Sequence, residues 1–142
     1  MKVLLVILLI GVFQHVNSDC VDGNTGNSCE CATMLQSLKD PSKPDLDTMM
    51  YYLRISGLTS CDENTEKACS GVCLEKVRQA GDSTDQSQNR PDGKTANQIG
   101  CLMLKGDASK RTNIIYARVC NKEWKPVYTI NTNLCCRNKT PC

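Results

Sequence analysis

Cysteine is the residue type that most constrains this chain. The sequence has 142 residues and 11 cysteines, and every cysteine lies beyond residue 18. Such a density is typical of small extracellular domains, in which disulfides add the stability that a thin hydrophobic core lacks. We therefore expect a disulfide framework built from Cys20, Cys29, Cys31, Cys61, Cys69, Cys73, Cys101, Cys120, Cys135, Cys136 and Cys142.

An odd number of cysteines cannot pair completely within one chain. Eleven allow five bridges and leave one residue over, either as a free buried thiol or as a link to a second molecule, so a disulfide-linked dimer is possible. Cys20 and Cys61 are the two candidates for this odd member. The adjacent Cys135 and Cys136 cannot easily bond to each other, so they should tie the tail to two different places. The connectivity itself stays open.

The N-terminal residues have the pattern of a secretory signal peptide. Lys2 precedes an apolar stretch over 3–12, and Val16-Asn17-Ser18 has suitable residues at the cleavage positions. A membrane anchor is the alternative, but it needs roughly twenty apolar residues and this stretch has about ten. We predict a signal peptide over 1–18, followed by a secreted, extracellular, disulfide-rich single domain over 19–142 with no membrane span.

Two segments have helical periodicity. The first is 44–56, in which apolar residues recur at intervals of three and four and would share one helix face: Leu46, Met49, Met50 and Leu53. The second is 66–80, in which Cys69 and Cys73 lie one turn apart. Asn64 or Thr65 is the expected cap of this second helix.

The last third of the chain has three predicted strands, at 99–104, 112–120 and 126–132. The second is the strongest because it is rich in Ile, Tyr and Val, and the third has residues on alternating faces. Short connections favour an antiparallel meander. The predicted fold class is therefore α+β: a small disulfide-rich domain with two helices followed by an antiparallel β-meander.

The remaining segments carry weaker signals. Residues 19–31 are predicted to be loop-like, and 32–38 can be helical or extended. Residues 82–97 contain almost no apolar side chain, which predicts an exposed polar loop.

The distribution of histidine argues against catalysis. The single histidine, His15, lies inside the predicted signal peptide, so the mature chain has no imidazole for a catalytic triad, a Cys-His pair or a His-ligated zinc site. The acidic residues are scattered as on a solvated surface. We predict no catalytic residues, no cofactor and no metal. The near-neutral net charge of +2, with no basic stripe, argues against nucleic acid or an anionic membrane as partner.

Three cysteine motifs have alternative interpretations. Cys29-Glu30-Cys31 has the form of a redox pair, but Glu30 disfavours a thiolate. Together with Cys69 and Cys73 these thiols could bind a metal by count, although thiols pair with one another in an oxidising compartment. The segment 135–142 has the cysteine spacing of secreted phospholipases A2, yet Lys139 and Thr140 stand where that chemistry requires His and Asp.

The sequon Asn138-Lys139-Thr140 is a possible glycosylation site. Pro141 and two cysteines lie close to it, a context that disfavours efficient modification.

The cysteine order resembles that of the insect follicle cell protein group, a family of small secreted cysteine-rich proteins. The resemblance covers about residues 29–142 and rests on the order Cys29-Glu-Cys31, Cys69-x-x-x-Cys73-Leu74, Gly100-Cys101, Tyr116-Ala-Arg-Val-Cys120, Trp124, Asn133-Leu-Cys135-Cys136 and Cys142. It implies an extracellular protein with a disulfide framework and no known catalytic residues. Single-domain von Willebrand factor type C proteins, which also end in a CC…C pattern, are a second resemblance.

Scaffolds related to the follicle cell group also occur in arthropod venoms. The first functional hypothesis is therefore a venom or secretory-gland component, a toxin that binds an unknown extracellular protein target. The alternative is a structural matrix protein of the eggshell type, which the odd cysteine favours because an unpaired thiol can cross-link. An enzyme without histidine ranks third.

Overall fold

The computed structural model describes residues 27–81, 93–130 and 133–142. Within these ranges the chain forms two antiparallel sheets and two α-helices. The main sheet has the order β2 (Tyr51–Ser56), β1 (Ser28–Leu35), β4 (Asn113–Val119) and β5 (Lys125–Thr129). The small sheet has the order β3 (Ala108–Arg111), β6 (Leu134–Arg137) and β7 (Thr140–Pro141). Helix α1 covers Glu63–Gly81, helix α2 covers Ala96–Met103, and a 3-10 turn covers Leu46–Thr48.

Strand β1 is the centre of the main sheet. All eight of its residues are buried, and it pairs antiparallel with β2 on one side and β4 on the other. Successive side chains alternate between the two faces of a strand, so Cys29 and Cys31 face α1 while Glu30 points to the opposite face. The loop predicted for 19–31 is therefore wrong over 28–31, and the start of 32–38 is extended.

Helix α1 confirms the predicted second helix and begins three residues earlier. Its cap is Asp62, whose Oδ1 accepts a hydrogen bond from the backbone N–H of Thr65 at 2.8 Å, rather than Asn64 or Thr65 themselves. The helix packs on the main sheet, where Cys69 and Cys73 are buried against Ala117 and Val119.

The helix predicted over 44–56 is wrong. This segment forms the 3-10 turn and then β2, which pairs with β1 from Tyr51 to Ser56. The turn is anchored by Thr48, whose Oγ1 accepts a hydrogen bond from the backbone N–H of Leu35 at 2.9 Å. Leu46 is 60% exposed, so the apolar residues that recur at helical spacing in 44–56 do not form a buried helix face. The β-forming residues of 51–55 and the free edge of β1 decide the structure here.

The strand predicted over 99–104 is also wrong, because 99–103 lie in α2 and Leu104 is its C-cap. Thr95 and Gln98 form a capping box, in which each side chain accepts a hydrogen bond from the backbone of the other residue. That box is a sequence signal for a helix start. It also shortens the loop predicted over 82–97, of which 82–92 lie outside the described residues.

The small disulfide-rich α+β fold is confirmed, but the order of its elements is not the predicted one. Strands β1 and β2 precede both helices, whereas the prediction placed two helices before the strands. The strands predicted at 112–120 and 126–132 are confirmed as the antiparallel pair β4 and β5. The predicted meander also placed 99–104 beside β4. In the structure β4 pairs instead with β1, a strand far away in the sequence.

A second core joins the two sheets. Leu35 and Met50, from the main-sheet region, pack with buried residues around α2 and the small sheet, namely Cys101, Leu104, Ala108, Leu134 and Cys136. Arg111 adds a polar contact, donating to the backbone oxygen of Gln36 at 2.7 Å and to Asp45 at 2.9 Å. Among the described residues, no helix is both long and apolar enough to cross a membrane.

Candidate functional site

A charged row crosses three strands of the main sheet. Glu30, on the central strand, is directly opposite Arg54 of β2 and directly opposite Arg118 of β4. Its side chain is only 2% exposed. A buried carboxylate is costly unless charged partners and hydrogen bonds compensate it, and the register supplies an arginine on each side.

Arg118 holds the carboxylate with two hydrogen bonds. Its Nε donates to Oε2 of Glu30 at 2.5 Å and its Nη2 donates to Oε1 at 3.0 Å. Tyr52 donates its hydroxyl hydrogen to the same Oε1. Such fork-shaped, charge-assisted contacts define the orientation of an arginine more strictly than a single hydrogen bond would.

The protonation of Glu30 follows from these contacts. Burial by itself raises the pKa of this carboxyl, but the hydrogen bonds from Arg118 and Tyr52, with the charges of Arg118 and Arg54, outweigh burial and lower the pKa below its ordinary value. The Tyr52 pKa is raised in turn, by burial and by its bond to the Glu30 carboxylate. Glu30 is therefore ionised and Tyr52 neutral at physiological pH.

Trp124 covers the outer side of Arg118. The guanidinium carbon lies 4.5 Å from the centre of the indole ring, which is a cation–π distance. Trp124 also packs against a buried group of main-sheet residues, namely Ala32, Met34, Ile114 and Tyr116. The ring therefore links the hydrophobic core to the charged row.

The connection between β4 and β5 sets the position of Trp124. Cys120 and Asn121 both adopt left-handed backbone angles, with φ of 54° and 57°, which few side chains accept. The Cys61–Cys120 bridge anchors the turn. Lys122 donates to Glu66 of α1 at 2.8 Å, so the turn is attached to the helix as well.

Three of these side chains reach the surface, and we refer to them as the arginine–aromatic cluster: Tyr52, Arg118 and Trp124. Tyr52 is 46% exposed and the side chain of Arg118 is 29% exposed. A groove of about 390 Å³ opens beside Trp124. Pro44 and Leu46 form apolar walls of this groove, and Lys43 contributes a positive charge. The cluster thus combines a phenol, a guanidinium and an indole beside a concave surface.

The cysteines form five bridges among the described residues. They are Cys29–Cys69, Cys31–Cys73, Cys61–Cys120, Cys101–Cys136 and Cys135–Cys142. Three of them hold the main sheet, α1 and the turn at Cys120 together. The other two hold α2 and the small sheet, and Cys135 and Cys136 have different partners as the sequence indicates.

The paired cysteines also decide the alternatives at Cys29-Glu30-Cys31. These two cysteines bridge to different residues of α1, so they do not form a redox pair with each other. The sulfurs of Cys29, Cys31 and Cys73 lie within 4.8 Å of one another, a spacing that would suit a metal. Each is bonded to another sulfur, however, and a disulfide offers no thiolate ligand.

Cys61 was one of the two candidates for the odd cysteine, and this assignment is wrong because Cys61 is bonded to Cys120. All ten cysteines of the described ranges are paired within the chain, so the bridges give no support to a disulfide-linked dimer. Cys20 lies outside the described residues.

The end of the chain is a hairpin rather than the helix of a phospholipase A2. Asn138 and Lys139 form the turn between β6 and β7 with φ of 49° and 63°, the left-handed geometry of two-residue hairpins. Asn138 is exposed, so its possible glycosylation stays a prediction. Asp107 supports the turn by accepting a hydrogen bond from the Asn138 backbone N–H at 2.9 Å.

Comparison with known proteins finds no match of this chain to a family model, a curated protein or a solved structure. The resemblance to the follicle cell protein group stays a prediction.

Sequence reasoning missed the cluster as a site. Arg118 and Trp124 stood out only as markers of the cysteine order, and Tyr52 was assigned to a helix. The alternation along 28–34 was the available signal, since it places Glu30 on the face opposite the bridged cysteines.

Proposed function

We propose that this protein is a secreted binding protein without catalytic activity, and that it recognises an extracellular protein through the arginine–aromatic cluster. One observation carries the proposal: Tyr52 and Arg118 both bind the buried carboxylate of Glu30, and Trp124 stacks on Arg118. All three side chains are exposed in part. Tyrosine, tryptophan and arginine are the residues that most often dominate binding energy at protein interfaces.

Preorganisation supports this assignment. A flexible arginine loses rotamer freedom when it binds, and this loss reduces affinity. Here the two hydrogen bonds to Glu30 and the indole ring restrict Arg118 before any partner arrives. The guanidinium can then present its exposed edge to a carboxylate or backbone carbonyl of the partner.

The environment of Glu30 supports a role in binding rather than catalysis. A general acid at neutral pH requires a raised carboxyl pKa, whereas the pKa of Glu30 is lowered by its partners. Among the described residues Glu30 is the one buried carboxylate, and both of its oxygens are engaged. The chain beyond residue 18 also contains no histidine.

Secretion is supported by the five bridges, because thiols stay reduced in the cytosol. We extend the proposal to a venom or secretory-gland component, for which a stable framework presenting a compact binding surface is well suited. The eggshell alternative depended on an unpaired cysteine. With Cys61 paired to Cys120, no feature of the described residues favours that alternative.

The test is a binding measurement with fluorescently labelled, fully oxidised protein against a panel of displayed extracellular domains. We expect saturable binding to at least one domain, weakened at least tenfold by Trp124→Ala and by Arg118→Gln. Val72→Ala is the matched control, since Val72 is 39% exposed on α1 and lies on the other side of the main sheet.

Two results would contradict the proposal. One is saturable binding that neither Trp124→Ala nor Arg118→Gln changes while both variants keep five bridges by intact mass. The other is the absence of saturable binding across the panel together with turnover of a substrate by the pure protein. Transcript confined to tissues other than glands would separately refute the gland origin.

A further inference from the structure

The two edges of the main sheet differ in how well they are protected against pairing with another strand. The edge strand β5 begins with Lys125 and Pro126, both exposed, and its pairing with β4 contains a register shift. Lysine, proline and irregular register are features by which natural edge strands avoid further pairing. The other edge strand, β2, contains neither lysine nor proline, and it pairs with β1 in one unbroken register.

The backbone hydrogen bonds show which residues of β2 face the open edge. The N–H of Cys120 donates to the backbone oxygen of Ser28 at 2.9 Å, in continuation of the β1–β4 register, so the even-numbered residues of β1 direct their backbone groups to β4. The odd-numbered residues of β1 then bond to β2. Their partners in β2 are Tyr51, Leu53 and Ile55. The N–H and C=O groups of Tyr52 and Arg54 therefore point away from the sheet.

This edge is accessible. Among the described residues, no strand pairs with the outer side of β2, and α1 lies mainly over β4 and β1. The side chains of β2 alternate between the two faces of the sheet. Leu53 and Ile55 pack on the face of α1, whereas Tyr52 and Arg54 lie on the face of Glu30.

We propose that two copies of this protein associate through β2, so that the two main sheets join into one continuous antiparallel sheet. A two-fold axis brings the same strand of both copies together. The axis passes beside Leu53, which is then opposite Leu53 of the second copy. In this register Tyr52 is opposite Arg54 of the second copy, and Tyr51 is opposite Ile55 of the second copy.

The backbone favours this register. Tyr52 and Arg54 of the second copy form one hydrogen-bonded pair, and the two-fold axis generates the same pair again. Each pair exchanges two N–H···O=C hydrogen bonds. These bonds use the groups that the isolated chain leaves unpaired at its edge.

The side chains favour the same register and are the reason for choosing a second copy as the occupant. Tyr52 opposite Arg54 is a cation–π pair, and Tyr51 opposite Ile55 is an aromatic and β-branched pair, both of which stabilise neighbouring strands. Moving the register by two residues either places the two copies of Arg54 opposite each other or moves Arg54 beyond the end of the facing strand. Strand β2 is thus complementary to itself.

The proposal does not depend on the proposed function, because the pairing uses the backbone edge of β2. Arg118 lies on β4, on the far side of β1 from this edge. The sequence did not indicate the edge, since 44–56 has the apolar spacing of a helix and the strand exists only through its pairing with β1.

The first test is the mass of the oxidised protein by sedimentation equilibrium, from about 10 µM to about 1 mM, a range suited to a small interface of modest affinity. We expect a reversible dimer whose fraction rises with concentration. Amide hydrogen exchange of Tyr52 and Arg54 should slow over the same range. The amide of Leu53, which already bonds to β1, should change less.

Two substitutions at one position separate the backbone from the side chain. Arg54→Thr keeps the N–H and should weaken dimerisation about fivefold, through loss of the two cation–π contacts. Arg54→Pro loses the same side chain and also removes one hydrogen bond from each pair, so it should weaken dimerisation at least tenfold further. Proline is tolerated here because the Arg54 N–H makes no bond within the sheet. Intact mass showing five bridges checks the fold of both variants.

Three results would overturn the proposal. The first is a monomeric wild type with fast exchange of Tyr52 and Arg54 at every concentration. The second is a dimer that Arg54→Pro and Arg54→Thr form equally well, which would place the interface elsewhere. The third is a monomer in which both amides are protected at every concentration, because part of the same chain would then cover the edge. A dimer that persists on a denaturing, non-reducing gel would be disulfide-linked and would also refute it.

Discussion

Replacing Glu30 by glutamine tests whether the buried carboxylate organises the main sheet. The change keeps the shape of the side chain and removes its charge, so Arg118 loses its ionic partner and Tyr52 loses a charged acceptor. Removing one member of a fully buried ion pair costs about 3–5 kcal/mol. Arg118 is 29% exposed and can be rehydrated, so we place the loss of folding stability at about 2 kcal/mol, near the value of a charged hydrogen bond.

The assay is guanidinium chloride unfolding with all bridges intact, followed by the fluorescence of the single tryptophan. A loss of about 2 kcal/mol raises the unfolding equilibrium constant roughly thirtyfold. Glu63→Gln is the matched control, because the Glu63 side chain is 81% exposed and its ion pair with Lys67 lies on the surface. That control should change stability by less than about 0.5 kcal/mol.

The pH dependence of this difference gives a second readout. The pKa of Glu30 is lower in the folded protein than its ordinary value of 4.5, so ionised Glu30 stabilises the folded state. The stabilisation is complete above the unfolded pKa and disappears as the pH falls through the lower, folded pKa. Wild type and Glu30→Gln should therefore converge in stability in acid. A difference that is absent at pH 7, or that grows as pH falls below 4.5, would refute the role assigned to Glu30.

Three further perturbations probe the framework. Replacing Cys31 and Cys73 together by alanine should lower the free energy of unfolding by about 2–4 kcal/mol, while the neighbouring Cys29–Cys69 bridge keeps the fold. Guanidinium unfolding measures this loss. A fully unfolded variant would show that the neighbouring bridge does not suffice. Under limiting reductant Cys135–Cys142 should open before the fully buried Cys31–Cys73 pair, as alkylation and peptide mapping would reveal; the reverse order would contradict the burial argument. Arg111→Ala removes the polar contact between the two sheets and should lower folding stability by about 1 kcal/mol. Backbone hydrogen exchange should become faster in the small sheet than in β1. Equal acceleration in both sheets would show that they unfold together.

Several parts of the fold could be predicted from local sequence. Strands β4 and β5 were readable because β-forming residues lie together on both sides of a short connection. Helix α1 was readable because Cys69 and Cys73 repeat with helical spacing. In each case the local preference and the tertiary packing favour the same structure.

The failures occur where two local signals compete. The apolar spacing of 44–56 fits a helix, but Tyr51 and Ile55 are equally suited to a strand, and the open edge of β1 determines which state forms. In 99–104 the apolar residues suggested a strand, while the capping box at Thr95 started a helix. Packing against Leu134 and Cys136 completes that helix.

The arginine–aromatic cluster depends on contacts between distant residues. Glu30 and Arg118 are separated by 88 positions. Their pairing follows from the register of β1 with β4, and no local sequence pattern indicates that register.

The amino-acid sequence by itself determined the class of molecule: a cysteine-rich chain with no histidine beyond residue 18. These properties follow directly from composition and from the positions of the cysteines. Only the tertiary structure decided the connectivity of the bridges, the order of strands in the main sheet and the residues that meet at its surface. The physical reason is that disulfide bridges, strand registers and side-chain clusters are long-range contacts. They stabilise the protein only once the whole chain has folded into one structure.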